Sequence, residues 1–117
     1  MNSEELKLRT KNYALRIIKL MKALPNVPEG RVLGNQLLRS RTSVGANYRA
    51  ACRARSRAEF TAKIGTVIEE ADESAFWLEL IIESELIGKE MIRPLLNETN
   101  EITAIMVASC KTSRGSE

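Results

Sequence analysis

Histidine is missing altogether from this 117-residue chain, and cysteine, proline and aromatic residues are scarce. Without histidine there is no Ser–His or Cys–His nucleophile pair, and the commonest general base and metal ligand are lost. Cys52 and Cys110 are too few for a disulfide framework, and two cysteines alone do not make a structural zinc site. They read as small buried residues of a reduced, cytoplasmic protein. Neither GxxxxGK[ST] nor GxGxxG occurs, which removes the common nucleotide-binding loops. No apolar run approaches the roughly 18 residues needed to span a bilayer, so no membrane role is expected. The opening MNSEELKLRTK carries acids and has no apolar centre, unlike a secretory signal. Carboxylate-only catalysis remains possible, and no pair of acids stands out for it. The expectation is a protein that is not an enzyme and uses neither cofactor nor metal.

Apolar residues make up 44% of the chain and charged residues 28%, ordinary for one globular domain with one modest core. The charge is unevenly spread. Residues 1–57 carry a net +10 and residues 58–117 a net −7, within an overall +3. Such a split suggests nucleic-acid contact, or halves that attract each other.

Apolar spacing is helical throughout, with no sustained alternation of period two. Leu6, Tyr13, Ile17, Leu20 and Leu24 line a first helix over about residues 3–24. Asn2 or Ser3 can cap it, and PNVPEG ends it. A second helix, about residues 31–54, has an unusually small and polar seam: Leu33, Leu37, Ser40, Val44, Asn47 with Tyr48, and Ala51. Ser56 and Glu59 form a capping box that opens a third helix, about residues 57–86. Its stripe of Phe60, Ile64, Val67, Ala71, Ser74, Leu78 and Ile81 repeats every three to four residues, and Gly88 is a natural stop. The fourth, about residues 90–111, carries Leu95, Thr99, Ile102 and Met106, with Pro94 tolerable only in its first turn. The closing KTSRGSE looks frayed. Four helices of similar length joined by short breaks predict an all-α, antiparallel up-down-up-down four-helix bundle in a single domain, residues 1–117.

The most distinctive stretch is LLRSRTSVGANYRAACRARSRAEF. Six arginines lie between Arg39 and Arg57, with no acid before Glu59. With Val44 taken as inward, Arg53 falls at about 180°, Arg49 at about 140° and Arg39 at about 220° around the helix. Arg41 sits about 60° off the core line, at its edge. Arg55 and Arg57 stand at the corner into the third helix. This basic ridge, Arg39, Arg49, Arg53, Arg55 and Arg57, suits phosphate, because the guanidinium fork matches phosphate oxygens and its charge releases counterions. It is equally the pattern of a solvated helix face, or of a seam between copies. No aromatic on the ridge could read bases, so nucleic-acid contact would go by backbone and shape.

The third helix is acidic. Glu70 and Trp77 flank its core stripe, as an interface would, or as a Trp lying over its own core. Glu69 and Glu73 point outward, and a hydrolase built on them would show metal-dependent cleavage lost on changing either. Gly45 inside a helix implies close backbone approach. Asn47 near the core line fixes register, as a buried Asn does in coiled coils, with Ser43 one turn before it. The alternative is that Ser43 and Asn47 touch a ligand.

The stretch LRSRTSVGANYRAACRARSRAEFTAKIGTVIEEADESAFWLELI, residues 38–81, resembles the bacterial 23S rRNA intervening-sequence proteins. The likeness rests on Arg39, Ser43-Val44, Ala46-Asn47, the Ser56/Glu59-Phe60 box and the Glu-Ala-Asp-Glu segment through Trp77. One departure is Ala50, where many relatives have an acid. The resemblance implies an antiparallel four-helix bundle that assembles into a ring-shaped homopentamer, with no established catalytic activity. It implies a nucleic-acid-associated adaptor of RNA or DNA, with a protein partner such as the reverse transcriptase served by a related branch. In such a ring the basic second helix meets the acidic third across a closing contact. Arg49 and Arg53 are then expected in solvent, with Arg41, Arg55 or Arg57 paired to acids. The rival function is a protein–protein adaptor in which the arginines serve assembly.

Overall fold

The computed structural model describes residues 1–115 and contains four helices: α1 (Ser3–Met21), α2 (Pro28–Cys52), α3 (Arg57–Glu83) and α4 (Lys89–Gly115). They form an antiparallel bundle with extents of 48 × 20 × 20 Å. The length matches a helix of 27 residues at the usual rise, plus its connections. Among the described residues there is no strand.

The start signals act as their chemistry dictates. Asn2 Oδ1 accepts from the Glu5 amide at 2.8 Å, and Ser56 Oγ accepts from the Glu59 amide at 3.0 Å. Both satisfy an amide that a helix start leaves without an internal partner. The breaks lie elsewhere than the sequence suggests. α1 stops at Met21, and a tighter turn follows, with the Ala23 amide on the Leu20 carbonyl. α2 begins three residues early, at Pro28, because proline at the first helical position forfeits no hydrogen bond. Gly30 is required there: a Cβ would run into the Pro25 carbonyl oxygen. α3 ends at Glu83, and the left-handed residue beyond it is Glu85, at φ 59°, not Gly88. Pro94 lies beyond the first turn of α4, where it removes the bond that its amide would give the carbonyl of exposed Glu90. The segment expected to fray continues α4 to Gly115, and its last two residues lie outside the described residues.

The core takes one stripe from each helix: Tyr13 and Ile17; Leu37 and Val44; Ile64, Val67, Leu78 and Ile81; Ile92, Ile102 and Met106. α2 packs most extensively on α3, and α3 on α4. The buried hydroxyls are satisfied. Tyr13 and Thr99 share a hydrogen bond of 2.7 Å between α1 and α4, and Ser74 donates to Ser40 at 3.1 Å between α3 and α2. Arg9 adds a charged link from α1 to α4. Its Nε and Nη2 grip both Glu98 oxygens at 2.8 and 2.6 Å, and Nη2 also meets Glu101 at 3.0 Å. The Glu98 contacts hold the Arg9 guanidinium above its ordinary pKa.

Two outcomes follow from this packing. Burial raises the Tyr13 phenol above its ordinary pKa, so the fold favours the neutral form. Its stabilising contribution is full below the unfolded tyrosine value of about 10 and is lost as pH rises beyond it. Chemical denaturation at stepped alkaline pH should show that loss shrink in Tyr13→Phe, which costs about 1 kcal/mol at neutral pH for the missing hydrogen bond. Glu85→Gly should gain roughly 0.5–1 kcal/mol, read as a rise in the thermal midpoint, because glycine adopts positive φ without strain.

Candidate functional site

The rotation of α2 distributes its arginines. With Ser40, Val44, Tyr48 and Ala51 buried, Arg49 and Arg53 are exposed on the side facing α1, and Arg55 and Arg57 are exposed at the α2–α3 corner. Arg39 leans the other way. Its Nη2 donates to Glu73 Oε1 on α3, so the three arginines placed on one outward face divide between two flanks. Among the described residues, none of Arg41, Arg55 and Arg57 lies in an ion pair within the chain, and Arg39 does. Glu73 is therefore turned toward α2, where it also accepts from Trp77 Nε1 at 3.3 Å.

Trp77 lies over its own core, with Phe76 edge-on to it at 5.0 Å between ring centres. Glu70 is half-buried beside this seam, and its Oε2 has no hydrogen-bond partner among the described residues. Ser43 and Asn47 use their donors on their own helix: Ser43 Oγ on the Arg39 carbonyl at 3.0 Å, and Asn47 Nδ2 on the Ser43 carbonyl at 2.8 Å. Such bonds tie each side chain to its own helix.

Arg41 is the main departure. It is 1% exposed, the largest fully buried side chain among the described residues, and not at the core's edge. A residue about 60° off the inward line still falls within the wide apolar stripe of a bundle helix. Its Nη1 reaches the Leu38 carbonyl only at 3.5 Å, and its Nε–H is buried with no acceptor among the described residues. Burial pushes the Arg41 guanidinium below its ordinary pKa, with nearby Tyr13 opposing, yet arginine stays protonated.

Arg41 lines a cleft between α1 and α2 of about 500 Å³. α1 contributes Lys7, Thr10, Lys11 and Ala14 to it; α2 contributes Thr42, Gly45, Ala46, Arg49 and Arg53. The cleft continues toward the start of α1 as a hollow between Lys7, Lys11, Arg49 and Arg53 that also touches Glu4. Five cations thus meet at one opening, where the main cleft has no carboxylate in its walls. Glu4, on the wall of that hollow, accepts from Lys7 at 3.0 Å. Lys7 and Lys11 stand four apart on one face of α1. That spacing is visible in the sequence, but their meeting with α2 is not. Among the described residues no group of three or more His, Cys, Asp or Glu side chains is placed to hold a metal. No helix among the described residues is long and apolar enough to cross a membrane.

Fold and charge together define a small all-α bundle with a polycationic face on one helix pair. The chain belongs to the 23S rRNA-intervening sequence protein family, whose profile matches residues 5–108. It is similar in structure to a protein of unknown function from the S23 ribosomal protein family of Bacteroides thetaiotaomicron VPI-5482. The TM-score is 0.84 at 39% identity, covering 91% of this chain and 98% of that one. No curated protein matches the chain.

Gly45 tests the local geometry. A Cβ there would sit 3.7 Å from Thr10 Oγ1, an ordinary contact, so the expected close backbone approach is not what requires glycine. Gly45→Ala should fold normally and gain up to about 1 kcal/mol from helix propensity, measured by urea unfolding.

Proposed function

We propose that this protein is a non-enzymatic, cytoplasmic adaptor that holds structured RNA or DNA by its phosphate backbone and works as a homo-oligomer, a pentamer by family likeness. The observation that carries this is the run of Lys7, Lys11, Arg49 and Arg53 along the α1–α2 face. Cations on two helices follow a phosphate path better than one helix ridge does, and no aromatic among them selects bases. Arg55 and Arg57 extend the charge at the corner, whereas Arg39 already has Glu73.

The second reading, a protein–protein adaptor, is favoured by one separate observation. Leu8, Leu15 and Ile18 are exposed along α1, at 58%, 52% and 40%, and suit burial against another chain or another copy.

A labelled ribosomal RNA fragment titrated with the protein across a salt series separates the two, read by fluorescence anisotropy. Wild type should bind with a steep salt dependence. Arg49→Glu/Arg53→Glu, with assembly unchanged by light scattering, should lower the magnitude of the log–log slope by at least about 1.4. Salt-sensitive assembly with no RNA binding would establish the adaptor instead.

A further inference from the structure

We infer that the cleft floored by Arg41 is a binding site for a near-dianionic phosphate group with at least three free oxygens, either the terminal monoester of a nucleic-acid strand or free inorganic phosphate. Such a site lies below the rim that would hold a nucleic-acid backbone, and it depends on a different residue. Arg41 is 1% exposed, and its Nε–H has no acceptor. A buried guanidinium N–H without an acceptor is costly, and Nη1 has only the long contact to Leu38; an oxyanion entering the cleft supplies the partner that Nε lacks. The four other cations that line the cleft make the incoming group an anion, and more than one of them makes it a multiply charged one. Acidic walls would instead mark a cation site, and the cleft has none.

The depth of Arg41 chooses between kinds of phosphate. A backbone diester is bonded to chain on both sides and carries one charge. It can lie across exposed Arg49 and Arg53, but both flanking nucleotides would have to follow it to reach the floor. A monoester has three free oxygens and nearly two charges at neutral pH, and only one side is tethered. It can enter end-on, and its oxygens can meet the Arg41 fork while Lys7 and Lys11 balance the charge from α1. The volume of about 500 Å³ is that of ordinary small-ligand sites.

The test has two arms on the full-length protein. In the first, the thermal midpoint is followed as inorganic phosphate replaces sodium chloride at constant ionic strength. In the second, two short RNAs of one sequence, ending in a 5′-phosphate or a 5′-hydroxyl, are compared by anisotropy. A rise in midpoint with phosphate, or about tenfold tighter binding of the phosphorylated end, supports the site; one charge-assisted hydrogen bond accounts for that factor. Either effect must vanish in Arg41→Met. If inorganic phosphate acts while neither RNA binds, the ligand is a free phosphate and the rim reading fails alone. If both RNAs bind equally and phosphate does nothing, the monoester site is overturned while the rim reading stands. Persistence of the effect in Arg41→Met also overturns it. Should Arg41→Met not fold by circular dichroism, Lys11→Glu, at an exposed position on the cleft wall, must cut the effect at least about tenfold, and its failure to do so is decisive.

Discussion

Ser40 and Ser74 share a buried hydrogen bond, and their small side chains sit in the seam where two helices of the bundle pack most extensively. That contact, with Leu37, Val44 and Ala51 buried on the same stripe of α2, fixes the rotation of α2 about its axis. Each arginine's surroundings then follow. A turn of about 100° per residue sends Arg39 to the α3 flank and Arg41 under α1, while Arg49 and Arg53 line the opening between α1 and α2. A larger apolar pair at positions 40 and 74 would hold the helices farther apart and leave the α2 cations less firmly aimed. The small, partly polar seam is therefore a positioning device as much as a source of packing energy.

The charge asymmetry of the sequence becomes spatial through the same rotation. The basic pair α1–α2 meets the acidic pair α3–α4 along two borders, and each border carries a cross-helix ion pair: Arg9 with Glu98, and Arg39 with Glu73. These pairs differ in weight. Arg9 and Glu98 are at most 23% exposed and grip with two bonds, so solvent screens them little; Arg39 is 56% exposed and its pair contributes less. Lys11, Arg49 and Arg53, away from both borders, face one another across the cleft.

Element types were legible because they rest on local chemistry. Asn2 and Ser56 cap through their own side chains, and the α3 stripe is a pattern one helix displays by itself. Helix ends were less legible. Pro28 can read as the end of a break or as a first helical residue, and Glu85 carries no mark of positive φ. The ridge was legible in content but not in arrangement. A helical wheel gives direction without neighbours, so it could not show that Arg39 would find Glu73 or that α1 would close over Arg41. Lys7 and Lys11 join the site only through tertiary contact, and a search confined to the arginine-rich stretch passes over them.

The cleft places folding and binding in opposition. Gathering like charges around a half-closed opening weakens the bundle through repulsion, and burying the Arg41 Nε–H without an acceptor adds a desolvation cost. Any anion that binds the folded chain and not the unfolded one relieves both, so occupancy stabilises the fold. Screening salt relieves only the repulsion between exposed cations, because a buried charge is little screened. Salt therefore strengthens the unbound bundle while weakening its hold on a polyanion at the rim. The desolvation of Arg41 is untouched by salt and answered only by an oxygen at the floor. That difference separates a generally basic surface from a built phosphate site, and it resides in one side chain.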